Sequence, residues 1–362
     1  MTKHEMDIKM QAGGAPTLSR TTDDTAMLRA AAELSRDIAT ARAGIYWPDF
    51  LASIVIGYGA FALTVMAGSW PLALGAAIVA AFALYRAASF IHELTHIRAG
   101  ALPGFRFAWN LLVGIPLLTP SFMYEGVHTQ HHARTRYGTA DDPEYLPLAL
   151  MKPWSLPLFI LAAALAPVAL LFRFAVLAPL GLIVPPLRRA IVARFSALSI
   201  NPAYRRRPPE GALKRMWIWQ ETGASLWAIG VLAASATYGW RPLLLGMAVY
   251  SVVAVVNQLR TLVAHLWENE GEAMSVTAQY LDSVNVPPPS PFAALWAPVG
   301  LRYHALHHLV PSVPYHSLAE VHRRLMAQLG DTSTYTRGNH PGILPLVARI
   351  ARSTMVRRVS QR

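Results

Sequence analysis

The chain is organised around a short stretch at residues 128–132, His128-Thr129-Gln130-His131-His132. A stretch of the same form, His304-Ala305-Leu306-His307-His308, lies near the C-terminus, and a related one, His92-Glu93-Leu94-Thr95-His96, lies upstream. These three histidine boxes contain eight of the thirteen histidines in the chain. On a helix, residues three and four apart share one face, so each box can present two or three imidazoles to one point. Because imidazole is the commonest protein metal ligand, the boxes predict a metal site.

The composition of the chain indicates a membrane protein. Of its 362 residues, 54% are hydrophobic and 14% charged, against about a quarter charged in soluble domains. The chain has no cysteine, which excludes disulfides, iron–sulfur clusters and cysteine-bound zinc or haem. The net charge is +12, but the basic residues lie beside apolar segments and at the C-terminus. We interpret this charge as the positive-inside bias of a membrane protein and predict no nucleic-acid partner.

Four apolar segments are predicted to cross the bilayer, each crossing needing about 20 helical residues. They form two hairpins with tight turns, 50–67 with 72–91 and 222–240 with 242–256. Each hairpin returns the chain to the side from which it started. The three boxes can therefore meet on one face of the membrane.

Two further apolar segments are broken by prolines and do not have the pattern of simple spans. The segment 105–120 is short and predicts an interfacial helix. The segment 154–187 fits a shallow hairpin or interfacial helices, because a single crossing would separate the boxes. The predicted fold is an all-α integral membrane protein with two transmembrane hairpins, interfacial helices and a cytosolic helical cap holding a histidine-rich di-metal site.

The chain is predicted to have three parts. A cytosolic N-terminal tail spans 1–45, a membrane domain 46–325 and a basic C-terminal tail 326–362. Within the first tail, Thr22 or Asp23 can cap an amphipathic helix, which we expect at the membrane surface. The N-terminus lacks the apolar region of a secretory signal peptide, and the chain is rich in Arg and Ala. We therefore expect a bacterial inner membrane, with the site on the cytosolic face.

A ninth histidine, His265, follows the second hairpin on the same predicted face as the boxes. Nine imidazoles exceed the needs of one first-row metal ion, which takes about four to six ligands, so we predict two ions. Carboxylates are expected around them, where they accept the second ring N–H of each histidine and fix its orientation. The candidates, which lie within or near the first two boxes, are Glu93, Glu125, Asp141, Asp142 and Glu144.

At these residues the chain resembles the membrane fatty acid desaturase and hydroxylase family. The resemblance lies in the order and spacing of the boxes and in three flanks, residues 138–145, 260–265 and 307–316. It covers about residues 46–325. It implies a non-haem di-iron centre on the cytosolic face that uses dioxygen and electrons from an external donor to attack a C–H bond of a lipid chain. The ligands it implies are His92, His96, His128, His131, His132, His265, His304, His307 and His308.

The chain departs from this family in one position near the site. Relatives that act on acyl thioesters often carry an asparagine one helical turn before the lone histidine, where this chain has Thr261 and has Asn257 one turn further back. We keep Asn257 and Thr261 as candidates for the surroundings of the metals. His316, in the flank after the third box, is also a candidate, although a structural role is the better interpretation.

Several functions remain open at this point. The preferred prediction is a fatty acid desaturase, with a lipid or carotenoid hydroxylase as the alternative. The chain has neither a dinucleotide fingerprint nor cysteines for a cluster, so electrons must come from a partner, a ferredoxin-like protein or a b-type cytochrome. His92-Glu93-x-x-His96 also matches the zinc metalloprotease pattern, but that function would leave the other boxes unexplained. A metal transporter is disfavoured because the boxes lie at span ends.

Overall fold

The computed structural model describes residue 18 and residues 21–98, 100–148, 151–290 and 292–356. In this part the regular structure is helical, with isolated β-bridges and no strand. Four helices are long and apolar enough to cross a membrane: Ala43–Met66, Trp70–His96, Ser155–Ile183 and Arg241–Leu262. The predicted all-α membrane fold with about four spans is confirmed.

The α-helices are numbered in chain order. They are α1 Thr25–Ser35, α2 Ala43–Met66, α3 Trp70–His96, α4 Phe105–Trp109, α5 His128–His131, α6 Ser155–Phe172, α7 Ala178–Ile183, α8 Pro185–Arg194, α9 Gly211–Tyr238, α10 Arg241–Leu262, α11 Val276–Asp282, α12 Ala293–Trp296, α13 His304–Leu309, α14 Leu318–Leu329 and α15 Ile343–Ala351. A π-helical segment, Arg173–Leu177, joins α6 and α7 into one long helix.

Helices α2 and α3 form the predicted first hairpin, which carries the first histidine box at its inner end. The two helices meet closely at Gly57, where a Cβ atom would lie 2.8 Å from Leu84 Cδ2. Near the box, the rings of Phe50 and Phe90 pack edge to face with centroids 5.8 Å apart. Such aromatic packing stabilises beyond the area it buries, and it fixes the end of α3.

Helices α9 and α10 occupy the second predicted hairpin, but α9 is not among the four candidate spans. Its first half carries Lys214, Arg215 and Glu221, which lower its apolarity. The fourth candidate is instead the segment 155–183, whose arrangement the sequence left open.

The long helix formed by α6 and α7 begins at the end of the molecule that carries the histidine boxes, called here the site side. From there it runs antiparallel to α10. Gln258 Nε2 donates to the Phe159 carbonyl at 2.9 Å, and Ser251 Oγ donates to the Ala164 carbonyl at 2.9 Å. Residues earlier in α10 therefore lie beside residues later in α6, and both lie farther from the histidine boxes. These two helices form one wall of a cavity on the site side.

The chain returns to the site side after α8. The Leu198 N–H donates to the Met123 carbonyl at 2.8 Å, and the Ile200 N–H donates to the Pro143 carbonyl at 3.1 Å. Met123 and Pro143 flank the second box on either side, so the segment from α6 to α8 begins and ends on one side. A single net crossing by this segment is therefore excluded, as the sequence predicted.

The N-terminal helix α1 packs on the protein rather than presenting its apolar face to a membrane surface. Met27, Ala30 and Ala31 are buried in one cluster with residues of α13 and α14. Asp24 caps this helix by accepting from the Met27 N–H, in place of the expected Thr22 or Asp23. The tail before residue 18 lies outside the described residues. The boundaries at 45 and 325 remain predictions.

Candidate metal centre

Short helical segments carry all three boxes into one buried region. The last turn of α3 presents His92 and His96, four residues apart, on one face. Helix α5 and its C-cap carry the second box, and α13 carries the third. His265 lies just beyond the end of α10, as the topology predicted.

The nine imidazoles divide into two clusters. In each cluster, one ring nitrogen per histidine lies within 4.8 Å of the corresponding nitrogen of every other member. The first cluster contains His92, His96, His128, His132 and His307, and the second contains His131, His265, His304 and His308. The clusters adjoin, since the rings of His132 and His308 stack with centroids 4.4 Å apart. The structure therefore brings together all nine histidines predicted from the sequence.

The separations between ring nitrogens fit ligands of shared metal ions. The distance between the Nε2 atoms is 3.0 Å for His128 and His132, 3.1 Å for His96 and His307, and 3.0 Å for His265 and His304. Two nitrogens each about 2.1 Å from one ion lie about 3 Å apart when they subtend a right angle. Among the described residues, neither ring nitrogen of the buried His92 has a hydrogen-bond partner. A metal ion would satisfy one of these nitrogens.

Burial keeps most of these imidazoles in the form that binds metal. Burial lowers the pKa of six site histidines, and the charges of neighbouring imidazoles or of Arg260 lower it further. These residues are His128, His132, His265, His304, His307 and His308. Their neutral rings need not lose a proton before they bind a cation.

Two predicted carboxylates orient the second box. Asp142, which is fully buried, accepts from His131 Nδ1 at 2.9 Å, and Glu144 accepts from His128 Nδ1 at 2.9 Å. Burial alone lowers the pKa of His131, but the charge of Asp142 raises it above the ordinary value overall. Burial raises the pKa of Glu144 to about 7. Both carboxylates leave the Nε2 atoms free to face the clusters.

Four other candidates do not hydrogen-bond a site histidine in the structure. Glu93 accepts from the Tyr46 hydroxyl and the Tyr315 N–H. Glu125 forms an ion pair with Arg106, with 3.4 Å between Glu125 Oε1 and Arg106 Nε. Asp141 is exposed. His316 accepts from the Arg42 N–H, away from the clusters, which agrees with a structural role.

The sequence did not identify the residues that orient His265. The Tyr137 hydroxyl lies 2.8 Å from His265 Nδ1 and donates to Asp282 Oδ2 at 2.9 Å, so it can accept the ring proton while donating its own. Burial raises the pKa of Asp282 to about 6. Asp282 lies 17 residues beyond His265 and carries no motif. The one available signal was weak: Asp282 is an acidic residue between the apolar residues Leu281 and Val284.

Replacing Asp142 by Asn is expected to lower metal affinity about 10–100-fold, because the amide accepts the His131 proton less strongly and adds a competing donor. Affinity can be measured by competition between a chelator and detergent-purified protein for added metal ions, with iron(II) as the first ion tested. Asp141→Asn is the matched control, since the neighbouring Asp141 is exposed and contacts no site histidine. Equal affinities of the two variants would contradict this role of Asp142.

A cavity of about 640 Å³ opens beside the first cluster, with His92 on its wall. This volume lies within the usual range of about 300–1,000 Å³ for ligand sites. Helices α3, α6 and α10 line most of it, and Leu158, Phe159 and Val253 make much of its surface apolar. The candidates Asn257 and Thr261 also lie on its wall. Such a cavity is suited to a lipid chain.

Comparison with known proteins agrees with this geometry. The family model described as fatty acid desaturase matches residues 68–338. The chain is also similar to a protein named ceramide hydroxylase from Caulobacter vibrioides (strain NA1000 / CB15N), at 47% identity over 337 residues. That alignment covers 92% of this chain and 96% of the relative. No solved structure matches the chain.

The family match includes all three boxes and His265, and the relative is similar along nearly its whole length. The chain belongs to the fatty acid desaturase family.

Proposed function

We propose that the protein is a dioxygen-dependent di-iron hydroxylase that adds a hydroxyl group to ceramide or a closely related lipid. The observation that carries this proposal is the position of His92, which lies both in a nine-histidine centre and on the wall of an apolar cavity. The relative named ceramide hydroxylase supports the hydroxylase alternative over the desaturase prediction. The desaturase prediction has no support beyond the family that both activities share.

The nine imidazoles named above would hold the two iron ions. Imidazole also suits zinc and copper, so the family, rather than the donor type, favours iron. With bound iron, the centre would supply the oxidation, using dioxygen and two electrons from an external donor.

The chain itself contributes position and exclusion of water. The cavity holds a lipid chain beside His92, which limits the carbons that can react. Asp142, Glu144 and the Tyr137–Asp282 pair hold the proton on Nδ1 of their histidines, so that Nε2 remains a ligand. The apolar lining keeps bulk water from the reacting carbon.

Labelled dioxygen separates the two activities. Hydroxylation inserts one oxygen atom into a C–H bond and reduces the other to water, whereas desaturation removes two hydrogens and reduces both oxygen atoms to water. Iron-loaded protein, ceramide and a chemical or protein reductant are incubated under isotopically labelled dioxygen, and the lipids are analysed by mass spectrometry. We expect a product that carries one labelled oxygen. An unlabelled product with a new double bond would restore the desaturase prediction, and unchanged lipid would overturn the proposal.

The zinc protease alternative conflicts with the contacts of Glu93. A general base must face the metal-bound water, but Glu93 is held by Tyr46 and by the backbone of Tyr315. His92 and His96 also lie among three further histidines of the first cluster. These contacts favour the oxidase.

The electron donor and the location of the protein are part of the same proposal. A ferredoxin-like protein or a b-type cytochrome would supply the electrons. The excess of Lys and Arg beside the spans supports a cytosolic face for the site and a bacterial inner membrane.

A further inference from the structure

Arg260 places a cation in the cavity that forms no salt bridge with the residues that the structure describes. It lies in the last turn of α10, five residues before His265, and lines the cavity with His92. Its Nε atom is buried and has no hydrogen-bond partner among the described residues. The hydrogen bond from its Nη2 to Asn257 Oδ1 is 3.5 Å long and therefore weak.

No carboxylate in the described lining of the cavity forms a salt bridge with Arg260, although the Arg260 charge partly offsets the rise in the pKa of Glu144. Glu144 is the one acidic residue in that lining, and its oxygens bond to His128 and Tyr124. Arg260 forms no salt bridge within the described part of the chain. A metal centre ligated by neutral imidazoles would itself be positive. Arg260 is half-buried, and a lipid that fills the cavity would displace the water beside it, so the guanidinium would then need acceptors on that lipid.

The cavity is polar at the metal end and apolar away from it. Along α10, Thr261, Arg260, Gln258 and Asn257 lie nearest the site, and Ala254, Val253 and Tyr250 follow deeper along the helix. Along α6, which packs against α10 in the same wall, the lining changes in the same direction, from Ser155 at the start of the helix to Leu158, Ala162 and Ala166. Because α6 and α10 are antiparallel and in register at Phe159 and Gln258, both polar ends coincide. A lipid in this cavity would therefore place its head group near the metals and its tail along α6.

Resting on the hydroxylase function proposed above, we propose that Arg260 binds the oxygen-bearing head group of the substrate, an N-acyl amide with neighbouring hydroxyls. The guanidinium donates several hydrogen bonds in one plane, which suits amide and hydroxyl oxygens held close together. With the head group held beside the centre, the carbon that reacts lies a few bonds from the amide rather than in the middle of the chain. Arg260 is thus a positioning residue that acts on the substrate rather than on the metals.

Arg260→Gln and Arg260→Lys test this role, with Arg241→Gln as the matched control at the exposed, opposite end of the same helix. The first measurement is the dissociation constant of a tail-labelled fluorescent ceramide for the iron-loaded proteins in detergent. Loss of a hydrogen bond from a charged donor costs about 1.5–3 kcal/mol, or about 10–150-fold in affinity. We expect that weakening in Arg260→Gln, partial recovery in Arg260→Lys and no change in Arg241→Gln. Iron content is measured in each variant to exclude a defect in the centre.

The second measurement is turnover of ceramide, with the position of the new hydroxyl found by fragmentation of the product. We expect KM to rise for Arg260→Gln by a factor similar to that in binding, and the product to become a mixture of positions. Wild-type affinity together with an unchanged position in Arg260→Gln would overturn this role, as would a wild-type product hydroxylated in the middle of the chain. If wild-type protein binds ceramide but adds no oxygen, the proposed function fails, and the binding comparison still decides the role of Arg260.

Discussion

Replacing His307 and His308 together by alanine is expected to remove nearly all bound iron and to lower activity by about 10³-fold or more. The two residues are adjacent, yet His307 belongs to the first cluster and His308 to the second. Each cluster thus loses one ligand. Metal ions commonly contribute several kcal/mol to a reaction, and about 4 kcal/mol corresponds to 10³ in rate. Iron is measured by metal analysis of detergent-purified protein and activity by the labelled-dioxygen assay.

Pairs of substitutions confined to one cluster provide the comparison. His96→Ala with His132→Ala affects the first cluster, and His265→Ala with His304→Ala affects the second. Each pair is expected to leave about one iron of the two that nine ligands can hold. His316→Ala serves as the control, because His316 lies outside both clusters. Full iron content in the variant that lacks His307 and His308 would contradict the di-iron centre. A single zinc ion that this variant retains and that the variant with His96→Ala loses would favour the protease alternative.

Replacing Ala166 by Trp is expected to exclude long acyl chains from the cavity. Ala166 lies on its wall at the apolar end, so an indole there occupies the path of the tail. Discrimination by size in apolar pockets amounts to about 10–200-fold, and we expect a loss of about 100-fold with long-chain ceramides and a smaller loss with short-chain ones. The measurement is the rate of hydroxylation across a series of ceramides of increasing acyl length.

Ala169→Trp is the matched control for this substitution. Ala169 lies in the same helix but is exposed on the protein surface and does not line the cavity. Its chain-length profile should equal that of the wild type. A uniform loss over all chain lengths in Ala166→Trp would indicate a structural defect rather than a blocked tail path.

Local spacing predicted the eight histidines of the boxes, because side chains on one face of a helix recur at three or four residues, whereas His265 was predicted from its place after the second hairpin. The same reasoning identified Asp142 and Glu144, which closely follow the second box and return to it through a turn. Asp282 and Tyr137 could not be predicted in this way, because long-range packing brings both to His265. The role proposed for Arg260 could not be inferred from the sequence for the same reason, since a single arginine at a span end is ordinary until its cavity is known.

The membrane arrangement was predicted in part. Apolar length identified three of the four candidate spans, and the requirement that the boxes meet excluded a single crossing by residues 154–187. Composition did not reveal that this segment would be a long helix lying against α10, because its prolines suggested interruption. In the structure, Pro167 is accommodated within α6, where the packed neighbours stabilise the helix despite the lost hydrogen bond.

The sequence by itself determined which side chains could share a metal, and the tertiary structure decided which of them lie together. In each of the last two boxes, the residues four apart stay together, while the middle one joins the other cluster: His128 and His132 lie apart from His131, and His304 and His308 apart from His307. Consecutive residues point about 100° apart on a helix, so adjacent histidines must diverge. The cluster that each one joins depends on how α5 and α13 face each other. Packing of distant segments sets that arrangement, and no local spacing encodes it.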